Sequence, residues 1–120
     1  MWDVEYTDEF GEWWSALDED VQEAIAHDVG VLEQVGPGLG RPTVDTLSGS
    51  KFPNMKELRT KHSRHAIRIL FAFDPRRCAI LLIGGDKSGD SRFYERMIPL
   101  ADGLYQEHLD ELAREETDNG

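Results

Sequence analysis

The chain has 120 residues and a mass of 13.7 kDa, the length of one domain, and its 39% hydrophobic content with three Trp and five Phe excludes full disorder. No run of about 18 apolar residues is present, which excludes a membrane span, and the acidic start Met1–Glu5 is unlike a secretory signal. The single cysteine, Cys78, cannot form an internal disulfide, and no Cys/His cluster suggests structural zinc. These features predict a cytoplasmic protein.

Charge is distributed unevenly along the chain, whose net charge is −11. Residues 1–40 carry eleven Asp or Glu and no Lys or Arg. Residues 41–96 carry twelve Lys or Arg and six Asp or Glu, whereas residues 97–120 have a net charge of −6. A basic centre between two acidic flanks favours an anionic partner for the middle third, although charged faces that only contact water would give the same pattern.

The first 36 residues favour a strand followed by two helices. The alternation of apolar and acidic residues in Met1–Tyr6 predicts a short strand. Thr7 or Asp8 is a suitable N-cap for a first helix. Asp18 can cap a second helix, in which apolar residues recur every three or four positions up to a stop at Gly36-Pro37-Gly38. The two helices are expected to form a hairpin.

Three strands are predicted in the second half of the chain. Residues 37–54 are rich in Pro and Gly and predict a surface connection with little regular structure. From residue 54 onward the apolar residues alternate, and strands are predicted over Met55–Lys61, Arg64–Phe73 and Cys78–Ile83. The last of these is almost wholly apolar, which is typical of a strand covered on both faces. Strands joined by short turns favour an antiparallel meander.

The C-terminal part favours a loop and a helix. A loop is predicted over Gly84–Asp90. A helix is predicted from about Ser91, and Pro99 is expected to interrupt or restart it. Residues 115–120 form a polar tail that is expected to be disordered, so the predicted domain is 1–114. The order β-α-α-β-β-β-α predicts an α+β fold in which the N-terminal strand and helical hairpin pack on an antiparallel sheet that the C-terminal helix follows.

The helical hairpin is expected to cover one face of this sheet and to leave the other face open. Alternation places Arg64 and Arg68 on the open face. If Leu58 points into the core, the preceding strand adds further charged residues to that face, namely Glu57, Arg59 and Lys61. Several cations on one open sheet face predict an anion-binding surface.

Several strings in the chain resemble one family of proteins. They are Lys56–Arg59, Arg68–Asp74, Ala79–Lys87, Arg92–Glu95, Ile98–Asp102, Leu104-Tyr105 and His108-Leu109. Together they resemble the phage-derived, HigB-type branch of the RelE/ParE toxin superfamily. In element order the resemblance covers roughly residues 1–112.

The resemblance implies a type II toxin with a RelE-like fold that cuts mRNA in the ribosomal decoding site. It also implies a partner antitoxin of the helix-turn-helix type, and catalysis by Lys, Arg and sometimes Tyr or His without a metal or other cofactor. Two alternatives stay open, since one fold supports several functions. One is a ParE-like inhibitor of DNA gyrase without nuclease activity, and the other is an inactive chain that retains only antitoxin binding.

RNA cleavage without a metal needs a base for the 2′-OH, cations for the phosphate and an acid for the leaving oxygen. Arg68 is the best candidate for the phosphate clamp, because a guanidinium can engage two phosphate oxygens; it could instead pair with Glu57. Arg59 is placed on the same face, where it could equally form a cross-strand ion pair. Lys87 follows two glycines and is a candidate for a catalytic or phosphate contact, with a plain loop as the alternative.

Two further residues are catalytic candidates. Tyr94 could stack on a base or relay a proton, although such tyrosines more often pack. His65 begins the central strand and is a secondary acid/base candidate that could equally be solvated. Lys56 falls on the opposite strand face from Arg59, so both could meet RNA only across a bulge. The RNA-binding candidates are Arg64, Lys61, Arg92 and Lys56.

Overall fold

The computed structural model describes residues 1–119 and shows an α+β fold. The elements in chain order are β1 (Val4–Tyr6), α1 (Asp8–Ser15), α2 (Glu19–Val35), β2 (Val44–Thr46), β3 (Lys56–His62), β4 (His65–Phe73), β5 (Ala79–Asp86) and α3 (Phe93–Asn119). A short 3-10 turn at Gly36–Gly38 follows α2. None of the helices in the described range is long and apolar enough to cross a bilayer.

All five strands form one sheet in the order β1-β5-β4-β3-β2. β3, β4 and β5 form the predicted antiparallel meander, and the α+β fold class is confirmed. The sheet is mixed, however, because β1 pairs with β5 in parallel. Residues 37–54 have little regular structure, as predicted, but they include the unpredicted strand β2, where Val44 pairs with Leu58 and is buried. A three-residue strand is too short to show periodicity.

The first layer of helices begins with the predicted caps. The hydroxyl of Thr7 accepts a 3.0 Å hydrogen bond from the backbone N–H of Phe10, and Asp18 is the N-cap residue of α2. Gly36 ends α2 with a φ of +72°, a conformation that glycine adopts without strain. α1 and α2 cover one sheet face, and this core contains Phe10, Ile25, Leu32, Leu58, Ile67, Ile69 and Phe71.

The second sheet face is covered by α3, so the prediction of an open face is wrong over much of its area. Leu70 and Ala72 of β4 and Ile80 and Leu82 of β5 are buried there. They pack with residues of α3 that include Met97, Ala101 and Tyr105. The apolar run Cys78–Ile83 required two covered faces, and α3 supplies the second cover. The sheet is therefore the middle of three layers.

The elements around the last loop differ from their predicted bounds. β5 continues through Gly84 to Asp86, and the loop is shorter than predicted. A Cβ on Gly84 would lie 2.3 Å from Cζ3 of Trp13, so the absence of a side chain lets α1 pack directly on β5. α3 is one helix with Pro99 inside it, not two. It also continues to Asn119, across most of the segment predicted as a disordered tail; Gly120 lies outside the described residues.

Candidate functional site

The carboxylate of Glu57 is the centre of a polar cluster on the α3 side of the sheet. β3 places it opposite Leu70, and its side chain is only 4% exposed. The hydroxyl of Tyr94 donates a 2.6 Å hydrogen bond to Oε1, and Nη2 of Arg59 donates a 3.2 Å bond to Oε2. We call the set Glu57, Arg59, Arg68, Lys87 and Tyr94 the central cluster.

The register of the sheet places two arginines side by side. Arg59 on β3 is the direct partner of Arg68 on β4. Nε of Arg68 lies 3.4 Å from Oε1 of Glu57, and its Nη1 donates a 3.0 Å bond to the carbonyl of Ile67. Nη2 of Arg59 also donates a 3.3 Å bond to Asp45 on β2. Since like charges on facing positions repel, the two carboxylates offset the cost of pairing two guanidinium groups.

Lys87 and Tyr94 complete the cluster from the other side. Lys87 follows β5, and its Nζ lies 5.5 Å from the centroid of the Tyr94 ring, a cation–π geometry. Gly85 is the β5 partner of Arg68, and a Cβ there would lie 2.8 Å from Cε1 of Phe93. This close approach sets the first turn of α3 against the sheet. Burial, together with the bond to Glu57, raises the pKa of the Tyr94 phenol.

The sequence predicted that these cations lie on an open, water-facing sheet face. In the structure the central cluster is recessed instead. The side chain of Arg68 is 13% exposed and that of Arg59 is 33% exposed. Nε of each arginine is buried without a hydrogen-bond partner in the described part of the chain. Buried donors of this kind are rare in folded proteins. Three cations face the two carboxylates of Glu57 and Asp45, so a positive excess remains for an anionic ligand.

Three of the predicted RNA-binding residues are exposed cations. Alternation along β3 puts Lys61 on the same face as Arg59, and Arg64 lies in the turn between β3 and β4. Arg92 directly precedes α3, two residues before Tyr94, and its Nε is 4.0 Å from a carboxylate oxygen of Glu95. These exposed positions leave the three side chains free to contact a polyanion.

His65 and Lys56 lie on the opposite sheet face. His65 shares the α1/α2 face with Ile67, and its Nδ1 is 2.6 Å from Oδ2 of Asp86. The prediction that it lies among the acid/base residues does not hold, because strand alternation turns it away from Arg68. Lys56 pairs with Phe71, as its parity predicts, and its Nζ lies 3.4 Å from the Thr46 hydroxyl.

The sequence placed Glu57 on the face of Arg59 and as a possible ion-pair partner of Arg68, but it did not predict that Glu57 is buried at the centre of the cluster. The available signal was the alternation that puts Glu57 and Arg59 on one face, next to Arg68 on the following strand. The third partner of Glu57 is Tyr94, and this contact was not predicted because Tyr94 lies far from β3 along the chain. Among the described residues, no group of three or more His, Cys, Asp or Glu has an arrangement that could hold a metal ion.

Comparison with known proteins identifies relatives of this chain. Residues 12–106 match the family described as "Phage derived protein Gp49-like (DUF891)". "Putative toxin HigB3" of Mycobacterium tuberculosis is 52% identical over 91 residues, which cover 75% of this chain and 78% of that protein. "Putative toxin HigB2" of the same organism is 46% identical over 99 residues, 81% of this chain. That match covers 49% of HigB2, so the chain spans about half of its length.

Solved structures show the same architecture. The isolated Escherichia coli RelE toxin superposes with a TM-score of 0.60 at 13% identity, covering 82% of this chain and 97% of RelE. A chain of the intact E. coli RelBE toxin–antitoxin complex gives a TM-score of 0.57 at 12% identity, covering 71% of this chain and 95% of that chain. At these identities the similarity concerns the fold.

The five-stranded sheet between α1/α2 and α3 defines a protein with the fold of the RelE toxin. The sequence matches then specify the branch. The chain belongs to the Gp49-like family and is a HigB-type protein, similar over most of its length to the putative toxin HigB3.

Proposed function

We propose that this chain is the toxin of a type II toxin–antitoxin system and cuts mRNA on the ribosome without a metal ion. The observation that carries the proposal is the convergence of Arg59, Arg68 and Tyr94 on one buried carboxylate, with Lys87 beside them. This set contains the cations, the base and the acid that metal-independent RNA cleavage needs. The relatives named as HigB toxins support the same reading.

In this proposal the two arginines bind the scissile phosphate. Their side chains are adjacent across β3 and β4, and each keeps a buried Nε without an acceptor. The guanidinium groups would donate to the phosphate oxygens, and charge-assisted bonds of this kind are about twice as strong as neutral ones. The exposed cations Lys61, Arg64 and Arg92 would contact neighbouring phosphates.

In this proposal Glu57 and Lys87 move the two protons. The Glu57 carboxylate takes the proton of the ribose 2′-OH, and the 2′-oxygen attacks phosphorus. The bond from phosphorus to the 5′-oxygen then breaks, and the Lys87 ammonium gives its proton to that oxygen. The products are a 2′,3′-cyclic phosphate and a 5′-hydroxyl end. Tyr94 orients Glu57 through its 2.6 Å hydrogen bond, in which the protonated phenol is the donor.

An antitoxin partner and a ribosomal target belong to the same proposal. The solved E. coli RelBE complex and the RelE–RelB complex of Pyrococcus horikoshii, whose TM-score is 0.54 at 13% identity, each hold a toxin of this fold with an antitoxin. The resemblance to HigB-type toxins favours a helix-turn-helix antitoxin for this chain. A ribosomal target places the activity in the cytoplasm.

An inactive chain is the second candidate, and one observation favours it. Glu57 already engages both arginines, and a phosphate must compete with it for them. The net charge of −11 also opposes binding to RNA. In that case the chain would keep the fold and the antitoxin contact but not the cleavage.

Induced expression of the chain, with and without the change Lys87→Gln, tests the proposal. We expect the natural chain to stop translation and to produce new mRNA ends in primer extension, and Lys87→Gln to abolish both. Lys51→Gln is the matched control, since Lys51 is an exposed lysine outside the central cluster. Growth arrest with DNA-damage signalling and intact mRNA would instead indicate a gyrase inhibitor, and the absence of toxicity would indicate the inactive chain.

A further inference from the structure

The strand β1 lies at the edge of the sheet with one side unpaired. Within the described residues it pairs only with β5, through bonds that include Ala79 N–H to Asp3 C=O and Thr7 N–H to Leu81 C=O. In a parallel pair, alternate residues direct both backbone groups toward the partner. The N–H and C=O groups of Val4 and Tyr6 therefore point outward. An unpaired edge of this kind can accept another strand.

One face of this edge opens into an apolar groove of about 1030 Å³. It runs between β1, α1 and α2, and most of its lining is apolar, including Val4, Tyr6, Phe10, Trp14, Ile25 and Val29; the carboxylates of Asp8, Glu12 and Glu33 also line it. Tyr6 is 65% exposed and lies 5.8 Å from Phe10, ring centroid to ring centroid. The groove thus presents aromatic and aliphatic surface directly beside the free backbone groups.

The other face of the same edge opens into an acidic cleft of about 460 Å³ between β1, the start of α1, and α3. Arg76 also lines this cleft, but it is already bound to Glu5 and Asp74. The remaining charged groups are predominantly anionic. The carboxylates that line the cleft are Glu5, Asp8, Glu9, Glu107, Glu111 and Glu115.

We propose that β1 accepts an extended segment of the antitoxin in which apolar and basic residues alternate. Successive side chains of an added strand point to opposite faces of the sheet. One set would enter the apolar groove, and the other would enter the acidic cleft as Lys or Arg. This inference rests on the proposed toxin–antitoxin function, since that function supplies the partner.

Charge complementarity is the reason for a basic segment. Residues 1–40, which form β1, α1 and α2, contain eleven Asp or Glu and no Lys or Arg. Such a surface attracts a cationic peptide and repels nucleic acid. The groove also lies on the sheet face opposite the central cluster, as Val4 belongs to the α1/α2 core. A bound segment would therefore leave Arg59 and Arg68 uncovered.

Binding of synthetic peptides to the full chain, measured by titration calorimetry, tests this inference. The probe is a peptide of about eight residues, long enough to pair with β1, in which Val and Lys alternate. One comparison peptide carries Glu in place of Lys, and another has the probe's composition with the Val and Lys residues in two blocks. We expect only the alternating Val/Lys peptide to bind tightly and to protect the amides of Val4 and Tyr6 from hydrogen exchange.

Two pairs of variants locate the bound peptide. Glu111→Lys reverses a charge in the acidic cleft. We expect peptide binding to weaken about tenfold, because one ion pair in a partly desolvated site is lost. Glu116→Lys makes the same change on α3 outside the cleft and should have little effect. Ala26→Lys places a cation in the groove and should weaken binding similarly, whereas His27→Lys on the exposed side of α2 should not.

The inference is overturned if the block peptide binds as tightly as the alternating peptide. It is also overturned if the two variants of either pair weaken peptide binding equally. In both cases net charge alone would explain the affinity. Toxicity separates this outcome from the proposed function. A toxic chain whose peptide binding ignores Glu111 and Ala26 keeps the proposed function and loses the docking site. A chain that is not toxic but binds the alternating peptide at these residues keeps the docking site and loses the proposed function.

Discussion

The hydroxyl of Tyr94 donates a 2.6 Å hydrogen bond to the buried carboxylate of Glu57 and thereby joins the first turn of α3 to β3. Both arginines of the central cluster contact the same carboxylate. The position of α3 is thus coupled to the geometry of the arginines, and the site depends on a contact between residues 37 positions apart in sequence.

Glu57→Gln tests the assignment of Glu57 as the base. The change keeps the shape of the side chain but removes the proton acceptor, and we expect RNA cleavage to fall by about two to four orders of magnitude. Cleavage of a ribosome-bound mRNA, with circular dichroism as a check of the fold, is the measurement. Glu95→Gln, an exposed change on α3, should cleave normally. Higher activity in Glu57→Gln would contradict the assignment and would identify Glu57 as a block on the arginines.

Tyr94→Phe removes one hydrogen bond and keeps the ring beneath Lys87. We expect the free energy of unfolding to fall by about 1–2 kcal/mol, because Glu57 loses a donor in a buried position. Burial raises the pKa values of both Tyr94 and Tyr105, so both phenols ionise above the ordinary tyrosine range. Alkaline titration followed by ultraviolet absorbance should show one fewer late-titrating phenol in the variant. Loss of a phenol that titrates in the ordinary tyrosine range would instead place Tyr94 away from Glu57 in solution.

Two glycine substitutions test the packing of the helices. Gly84→Ala puts a Cβ 2.3–2.6 Å from ring atoms of Trp13, and overpacking of this kind costs about 1–3 kcal/mol of stability. Gly103→Ala on α3 meets nothing within 4 Å and should stabilise the protein by about 1 kcal/mol through helix propensity. Thermal unfolding measures both changes. A stable Gly84→Ala protein would show that α1 does not lie against β5 as described.

The pH dependence of stability follows from Asp74, whose side chain is buried and binds Arg76 and His108. Burial opposes ionisation, but the hydrogen bonds from His108 and Arg76 outweigh it and lower the pKa of Asp74 below its ordinary value of 3.8. Its stabilising contribution is therefore complete above that value and is lost as the pH falls through the lower folded value.

Asp74→Asn should accordingly destabilise the protein by about 3 kcal/mol at neutral pH, the cost of removing one partner from a buried charged network. Urea unfolding at several pH values should show this difference narrowing below pH 4 or so, where the carboxylate of the natural chain becomes protonated. Asp110→Asn on the exposed side of α3 is the control and should have little effect at any pH. If the difference in the free energy of unfolding between the two proteins stayed constant down to strongly acidic pH, this linkage would be ruled out.

The sequence predicted the elements with strong local signals. Thr7 and Asp18 are caps whose chemistry is local, and the strand over Ile67–Phe73 shows its alternation within a few residues. The features that failed depend on distant parts of the chain. β2 is a strand only because it pairs with β3, and Gly84 continues β5 because Trp13 fills the space above it.

The candidate site was predictable as a list of cations but not as an arrangement. Strand parity placed Arg59 and Arg68 on one face and Lys56 on the other, and the register agrees. The same parity places His65, like Lys56, on the face opposite the arginines. α3 covers part of the arginine face, and Glu57 is buried. Both features depend on tertiary packing, which no local sequence pattern predicts.

The pairing of β1 with β5 bears on when this protein becomes active during its own synthesis. The hydroxyl of Thr7 bonds to the carbonyl of Leu82, 75 positions later, so the first strand has no partner until most of the chain has left the ribosome. Contacts between such distant segments form late. Lys87 and Tyr94 emerge later still. In the proposed function, a nascent chain could therefore not attack the message that encodes it before Tyr94 has left the ribosome.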